Sequence, residues 1–224
     1  LIDDTWILTA AHCVNGMSSS ELNIAVGVFD LTNFSGSRIS VKNIRIHPQY
    51  DATNSQNDVA LLELNQPSSG PTIPLFSGES LEKVPLSLLG KMLTAIGWGM
   101  ADSVNSWYYP EKLRQVELPV VDDSNCNAIY SPPLTASQIC AGYYDGKDVC
   151  NGDSGGPIVT KIDETWIHVG LTSYGSPCDT FLGWYGVYTR TSSYIDFIKQ
   201  YVPGATFWTT PKTQPWLMLL LNDN

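Results

Sequence analysis

Ser154 stands among three glycines, Gly152, Gly155 and Gly156, in the stretch KDVCNGDSGGP (147–157). A hydroxyl in such a turn can act as a nucleophile, because glycine adopts positive φ and lets the backbone approach a substrate closely. The pattern G-x-S-x-G by itself occurs in unrelated hydrolase classes. A serine nucleophile needs a histidine to take its proton, and that histidine needs a carboxylate to fix its tautomer. Three histidines are present, His12, His47 and His168. The order serine, acid, histidine leaves only His168, which lies in a strand-like pattern in a chain poor in the helices that such a fold requires. The order histidine, acid, serine fits better. It selects His12 in TAAHC (9–13) and Asp58 at the head of the apolar run NDVALLEL (57–64). His47 and His168 match no motif and are read as packing or surface residues.

Short strands must position these residues. Segments 21–31, 39–48, 58–64, 92–99, 114–121, 156–162, 166–175 and 185–190 are rich in Val, Ile, Thr and aromatic residues, and several alternate with period two. Gly, Pro, Ser and Asn punctuate between them. Residues 192–202 place Tyr194, Ile198 and Tyr201 or Val202 on one face, which predicts a C-terminal helix. Residues 67–80 form a loop-like connector, a seam between two β units. Many short strands point to all-β barrels or sandwiches. Residues 203–224 are expected to be a flexible tail. Its WLMLLL run (216–221) is too short to cross a bilayer.

With 43% hydrophobic and 15% charged residues, the 224-residue chain is globular in composition rather than disordered. Its formal net charge of −10 argues against nucleic acid or anionic membranes as partners. Five cysteines, none in a C-x-x-C pair, suit a secreted enzyme with a few bridges better than a zinc or redox site. The opening LIDDTWILTA has neither an initiator Met nor a signal peptide, so it is expected to lie inside a longer gene product.

TAAHC, DVALLEL, GWG (97–99), CNGDSGGP (150–157), TSYG (172–175) and GVYTR (186–190), in that order, resemble the trypsin/chymotrypsin family of serine proteases over about residues 1–202. The resemblance implies two antiparallel six-stranded β-barrels, the first incomplete, and a C-terminal helix. The N-terminal barrel would span 1–80, the C-terminal barrel 90–191 and the helix 192–202. It implies a serine endopeptidase acting through an acyl-enzyme, with His12 as base, Asp58 as its orienting acid and Ser154 as nucleophile. The Gly152 and Ser154 N–H groups would form the oxyanion hole. Ser173 would hydrogen-bond Asp58. The general chemistry of the serine–histidine–aspartate triad is itself defined on this family. A binding or inhibitory homologue that does not cleave is the alternative, though such homologues usually lose a triad residue.

The resemblance also gives Asp148 the base of the primary pocket, with Gly175 and Gly186 as its walls, and hence cleavage after Arg or Lys. Val149, where Ser or Ala is usual, favours Arg, whose fork engages a carboxylate without further help. Asp153 would pair with an ammonium created by zymogen cleavage. No segment that could supply that ammonium precedes Leu1 here, so residues 1–224 alone are expected to be nearly inactive. Bridges Cys126–Cys140 and Cys150–Cys178 are implied, leaving Cys13 free. No metal or other cofactor is expected: Val28 stands at the first calcium position, and Tyr185 only weakly suggests Na⁺ binding. Protein substrates, protease inhibitors, a monomeric state and an extracellular location complete the expectation.

Overall fold

The computed structural model describes residues 1–34, 36, 38–78, 90–101, 108–144, 147–162, 164–175 and 184–208. The first four strands are β1 (Trp6–Thr9), β2 (Asn23–Ala25), β3 (Arg38–Ile46) and β4 (Ala60–Leu64). They form one antiparallel sheet in the order β1-β4-β3-β2. In β3, Ile39 and Val41 turn inward while Arg38, Ser40 and Lys42 face solvent, the alternation of a strand with one buried face. A register shift between Val41 and Asn43 bends the strand and curls the sheet over Val14, Leu62 and Leu64.

The chain continues through β5 (Leu75–Phe76), β6 (Met92–Gly97), β7 (Arg114–Pro119), α1 (Asp123–Asn127), β8 (Gln138–Ala141), β9 (Pro157–Ile162), β10 (Thr165–Tyr174) and β11 (Gly186–Arg190). It ends with α2 (Ile195–Tyr201) and β12 (Phe207–Trp208). Six of these strands follow the path β7-β6-β9-β10-β11-β8. A bridge between Val120 and Ala141 joins the two ends, so this sheet curls closed. Its interior is filled by Leu93, Leu118, Ile139, Ile158, Val169 and Tyr188. The fold is therefore mostly β, two curled antiparallel half-barrels, the first of four strands, with a short C-terminal helix, in agreement with the expected architecture.

A third core lies between the barrels. Leu8, Val59 and Leu61 come from the first, Leu171 from the second, and Phe197 and Ile198 from α2. Full burial of each such side chain contributes about 1.5–3 kcal/mol, so the cleft between the barrels rests on packed walls.

The structure differs from the sequence reading in several places. Only Asn23–Ala25 of segment 21–31 is a strand. Gly27 turns at φ 75°, and Asp30 then caps a 3-10 turn over Leu31–Asn33 by accepting the Thr32 N–H. The predicted helix starts as a 3-10 turn over Thr191–Tyr194 before α2. Strands β5, β8 and β12 were not legible, because two to four residues carry no period. Residues after Pro203 are not all tail. β12 pairs in parallel with β5, Leu75 donates its N–H to the Thr206 carbonyl at 2.9 Å, and the Phe76 and Trp208 rings stack at 5.8 Å. β5 also pairs with β10, so the connector between the barrels is held on both sides. Among the described residues no helix is long and apolar enough to cross a membrane.

Trp208 is half-buried and clamps that connector. Trp208→Ala is expected to lower stability by about 1–3 kcal/mol, below the range for a fully buried aromatic. Urea unfolding should show a lower midpoint with an unchanged slope.

Candidate active site

β1 ends at Thr9, and the fully buried Ala10 and Ala11 are small enough for the chain to turn tightly against the sheet. The resulting 3-10 turn, Ala11–Cys13, carries His12. Asp58 precedes β4 and is wholly buried. Asn57 before it sits at φ 53°, a left-handed conformation that asparagine tolerates, and accepts a hydrogen bond from the Tyr194 hydroxyl at 3.3 Å.

Asp58 gathers donors from both barrels. Its Oδ1 accepts the His12 backbone N–H at 2.9 Å. Its Oδ2 receives His12 Nδ1–H at 2.7 Å and the Ser173 hydroxyl at 2.5 Å. The Asp58 carbonyl accepts the Thr189 hydroxyl at 2.9 Å. A buried carboxylate persists only with such compensation. The bond to Nδ1 fixes the ring orientation and leaves Nε2 as the nitrogen that can exchange a proton with a substrate. The Asp58 hydrogen bond, helped by the Cys13 contact and opposed by burial, raises the His12 pKa well above the ordinary imidazole value.

Ser154 is exposed in the turn that enters β9. Gly155 and Gly156 donate N–H bonds to Thr172 and Asp153 carbonyls, both at 2.9 Å, which pins the turn. A Cβ on Gly155 would lie 2.5 Å from Thr9 Oγ1 and 2.9 Å from Cys13 Sγ. Only glycine therefore lets the Ser154 turn lie against the His12 turn. Gly152 has φ 99°. Among the described residues, neither the Gly152 nor the Ser154 N–H is taken by a protein acceptor, and both residues are exposed. No hydrogen bond joins the Ser154 hydroxyl to His12 among the described residues. His12 Nε2 instead lies 3.5 Å from Sγ of Cys13, a free thiol. Catalytic hydrogen bonds often tighten only when substrate is bound.

Two further carboxylates lie behind this turn. Asp153 Oδ1 accepts the Gly99 N–H at 2.7 Å and Oδ2 the Cys150 N–H at 2.9 Å. A Cβ on Gly99 would be 2.3 Å from the Asp153 carboxyl carbon, so the GWG motif is the cradle for this acid. Asp148 accepts the Val149 N–H at 2.8 Å and the Tyr188 hydroxyl at 3.4 Å. Burial pushes its pKa up to about 7, those two donors oppose the rise, and the Asp153 charge adds to it. Asp148, Val149, Asp153, Gly99 and Arg114 line one cavity of about 230 Å³. Gly175 faces Gly186: a Cβ on the former would lie 3.8 Å from the latter's Cα. A Cβ on Gly186 would stand 3.0 Å from both Asp148 Oδ1 and the Tyr188 hydroxyl, so any side chain there would cover the carboxylate.

Cys126 and Cys140 are joined in a disulfide, and Cys150 is also disulfide-bonded. Cys178 lies outside the described residues. Sequence reasoning missed Tyr188 and Thr189, although both belong to the quoted GVYTR motif; a motif gives spacing without showing which side chain turns inward. His168 is buried, with Nδ1 3.0 Å from the Thr191 hydroxyl, and burial lowers its pKa to about 3. His47 packs its ring edge-on against Tyr194 and Phe197. Neither approaches the Asp58 cluster by any hydrogen bond among the described residues.

The family model described as Trypsin matches residues 1–198. The chain is 35% identical over 210 residues to vitamin K-dependent protein C of Rattus norvegicus, covering 90% of this chain and 45% of that protein. The corresponding proteins of Mus musculus and Oryctolagus cuniculus are each 33% identical over 210 and 211 residues, with the same two shares. The chain thus spans about half the length of the curated relatives it matches.

The half-buried Asp148 carboxyl makes stability depend on pH. Its folded pKa of about 7 lies above the ordinary 3.8, so the folded protein holds a proton that the unfolded chain releases. That contribution is complete below about pH 4 and is lost as pH rises through 7. Relative to Asp148→Asn, the natural protein should lose up to about 4 kcal/mol across this window. Thermal unfolding of both proteins at a series of pH values reads the difference; parallel curves would exclude a proton on Asp148.

Proposed function

The chain belongs to the trypsin family of serine proteases, and on that premise we propose that it is an endopeptidase that cleaves after Arg, and more slowly after Lys, through an acyl-enzyme. The observation that carries this reading is the Asp58–His12 pair with the glycine-packed Ser154 turn laid against it. Ser154 Oγ attacks the scissile carbonyl carbon while its proton passes to His12 Nε2. The oxyanion forms at the unoccupied Gly152 and Ser154 N–H groups, each worth roughly 3 kcal/mol in such sites. The C–N bond breaks as His12 returns the proton to the leaving amine. Water then repeats the sequence with the same groups and releases the acid. Asp58 stabilises the imidazolium that forms in each half-reaction.

Asp148 supplies the charge for a cationic side chain entering past Gly175 and Gly186. Burying that cation is favourable only against the carboxylate, which rejects apolar side chains. Val149 has no side-chain oxygen that could accept a hydrogen bond from a cation. A Lys ammonium therefore finds fewer partners than an Arg fork. Asp153 is proposed to receive the α-ammonium released by activating cleavage; the cavity of about 230 Å³ beside it supports this role. The disulfides support an extracellular setting, with protein substrates, proteinaceous inhibitors and a monomeric enzyme.

A chromogenic panel with Arg, Lys, Phe or Leu before the cut tests the pocket in the activated full-length protein. Arg should give the highest kcat/KM, and a preference for Phe or Leu would refute the Asp148 assignment. For the Arg substrate KM should fall as pH rises from about 6 to 8, because Asp148 ionises with a pKa of about 7. Ser154→Ala and His12→Ala should each cost several orders of magnitude in kcat, and the double variant little more. A natural protein as inactive as Ser154→Ala would instead support a non-cleaving homologue.

A further inference from the structure

We propose that Asn33 carries an N-linked glycan that roofs an exposed apolar loop on the first barrel. The inference rests on the extracellular reading given above. Asn33 begins the tripeptide Asn33-Phe34-Ser35, and it is the only asparagine in the chain followed two positions later by Ser or Thr. That signal is the acceptor sequence for glycan transfer in the secretory route, where it needs a surface loop. The Cys126–Cys140 bridge points independently to the same oxidising compartment.

The local structure suits an acceptor. Asn33 lies outside every strand, between β2 and β3, at the end of the Leu31–Asn33 turn, and is exposed. Its Nδ2 donates to Asp30 Oδ2 and Thr32 Oγ1, both at 3.2 Å. Transfer removes one of the two amide hydrogens, so one of these bonds can persist and hold the linkage away from the sheet. Phe34 folds its ring over Gly36; a Cβ on Gly36 would lie 2.7 Å from that ring, so the middle residue of the signal turns back on the chain rather than over the acceptor. Phe29 and Leu31, on the same loop, are 60% and 55% exposed. A hydrophilic glycan beside them would cover apolar surface that is otherwise open to association.

The reaction balances with a polyisoprenyl pyrophosphate oligosaccharide as donor. The Asn33 amide nitrogen forms a C–N bond to the anomeric carbon, the bond from that carbon to the pyrophosphate oxygen breaks, and the amide loses one proton. The lipid pyrophosphate is the leaving group, and no electron transfer occurs.

The test is peptide mass spectrometry on the full-length natural gene product secreted by animal cells, before and after enzymatic release of N-glycans. Release converts a glycosylated Asn33 into aspartate. The natural protein and Ser35→Thr should carry glycan at Asn33, and Ser35→Ala, which keeps the asparagine, should lose it completely. Unmodified Asn33 in protein recovered from the medium, or glycan retained in Ser35→Ala, would overturn the proposal while leaving the extracellular reading intact. Unglycosylated protein confined to the cytosol would overturn both. Release from the folded protein should also increase binding of an apolar dye, and that increase should be lost in a Phe29→Ser, Leu31→Ser double variant. Unchanged dye binding on release would refute the roofing role.

Discussion

A carboxylate with no exposed surface, Asp58, is the constraint on which the rest depends. An uncompensated buried charge costs several kcal/mol, so the chain must deliver donors to it from wherever they lie. It takes two from His12 on the first barrel and one from Ser173 on the second, while Thr189 ties its backbone to the second barrel as well. Satisfying one acid therefore fixes how the barrels meet. The apolar contacts among Leu8, Val59, Leu171 and Ile198 fill the space around that junction. Chemistry and architecture share one hydrogen-bond cluster, and the imidazole is oriented as a by-product of neutralising a charge.

The same logic recurs on a smaller scale behind Ser154. Asp153 is compensated by backbone N–H groups of Gly99 and Cys150, which ties the turn carrying Ser154 to the GWG loop and to the bridged Cys150. Asp148 also has two donors, but one is the longer bond from Tyr188, and burial keeps its proton on near neutrality. The three acids differ in the number and closeness of the donors offered to them. The fully satisfied one holds the imidazole, the backbone-satisfied one braces the turn, and the least satisfied one keeps a proton near neutrality.

Much of this was legible in the residues. His12, Asp58 and Ser154 could be selected by order and by neighbouring types, and the long strands β3, β9 and β10 announced themselves through period and composition. What escaped was whatever depends on contacts distant in the chain. β12 is two residues long and exists because Leu75 and Phe76 offer it an edge; nothing in PGATFW signals that. Tyr188 reaches Asp148 only because β11 is paired between β8 and β10, which sets the face on which alternate residues lie. The need for glycine at 155 was visible as a pattern, but its cause, the proximity of Thr9 and Cys13, is a fact of the folded state.

The most direct measurement of the central claim is proton NMR of the folded, full-length protein in the far-downfield region. A proton held between His12 Nδ1 and the buried Asp58 carboxylate at 2.7 Å should resonate well outside the amide envelope. It should be assigned to His12 by ¹⁵N-histidine labelling and disappear in Asp58→Ala. A folded natural protein without such a resonance, or one in which it survives Asp58→Ala, would show that Asp58 does not hold the imidazole. The junction described here would then be wrong.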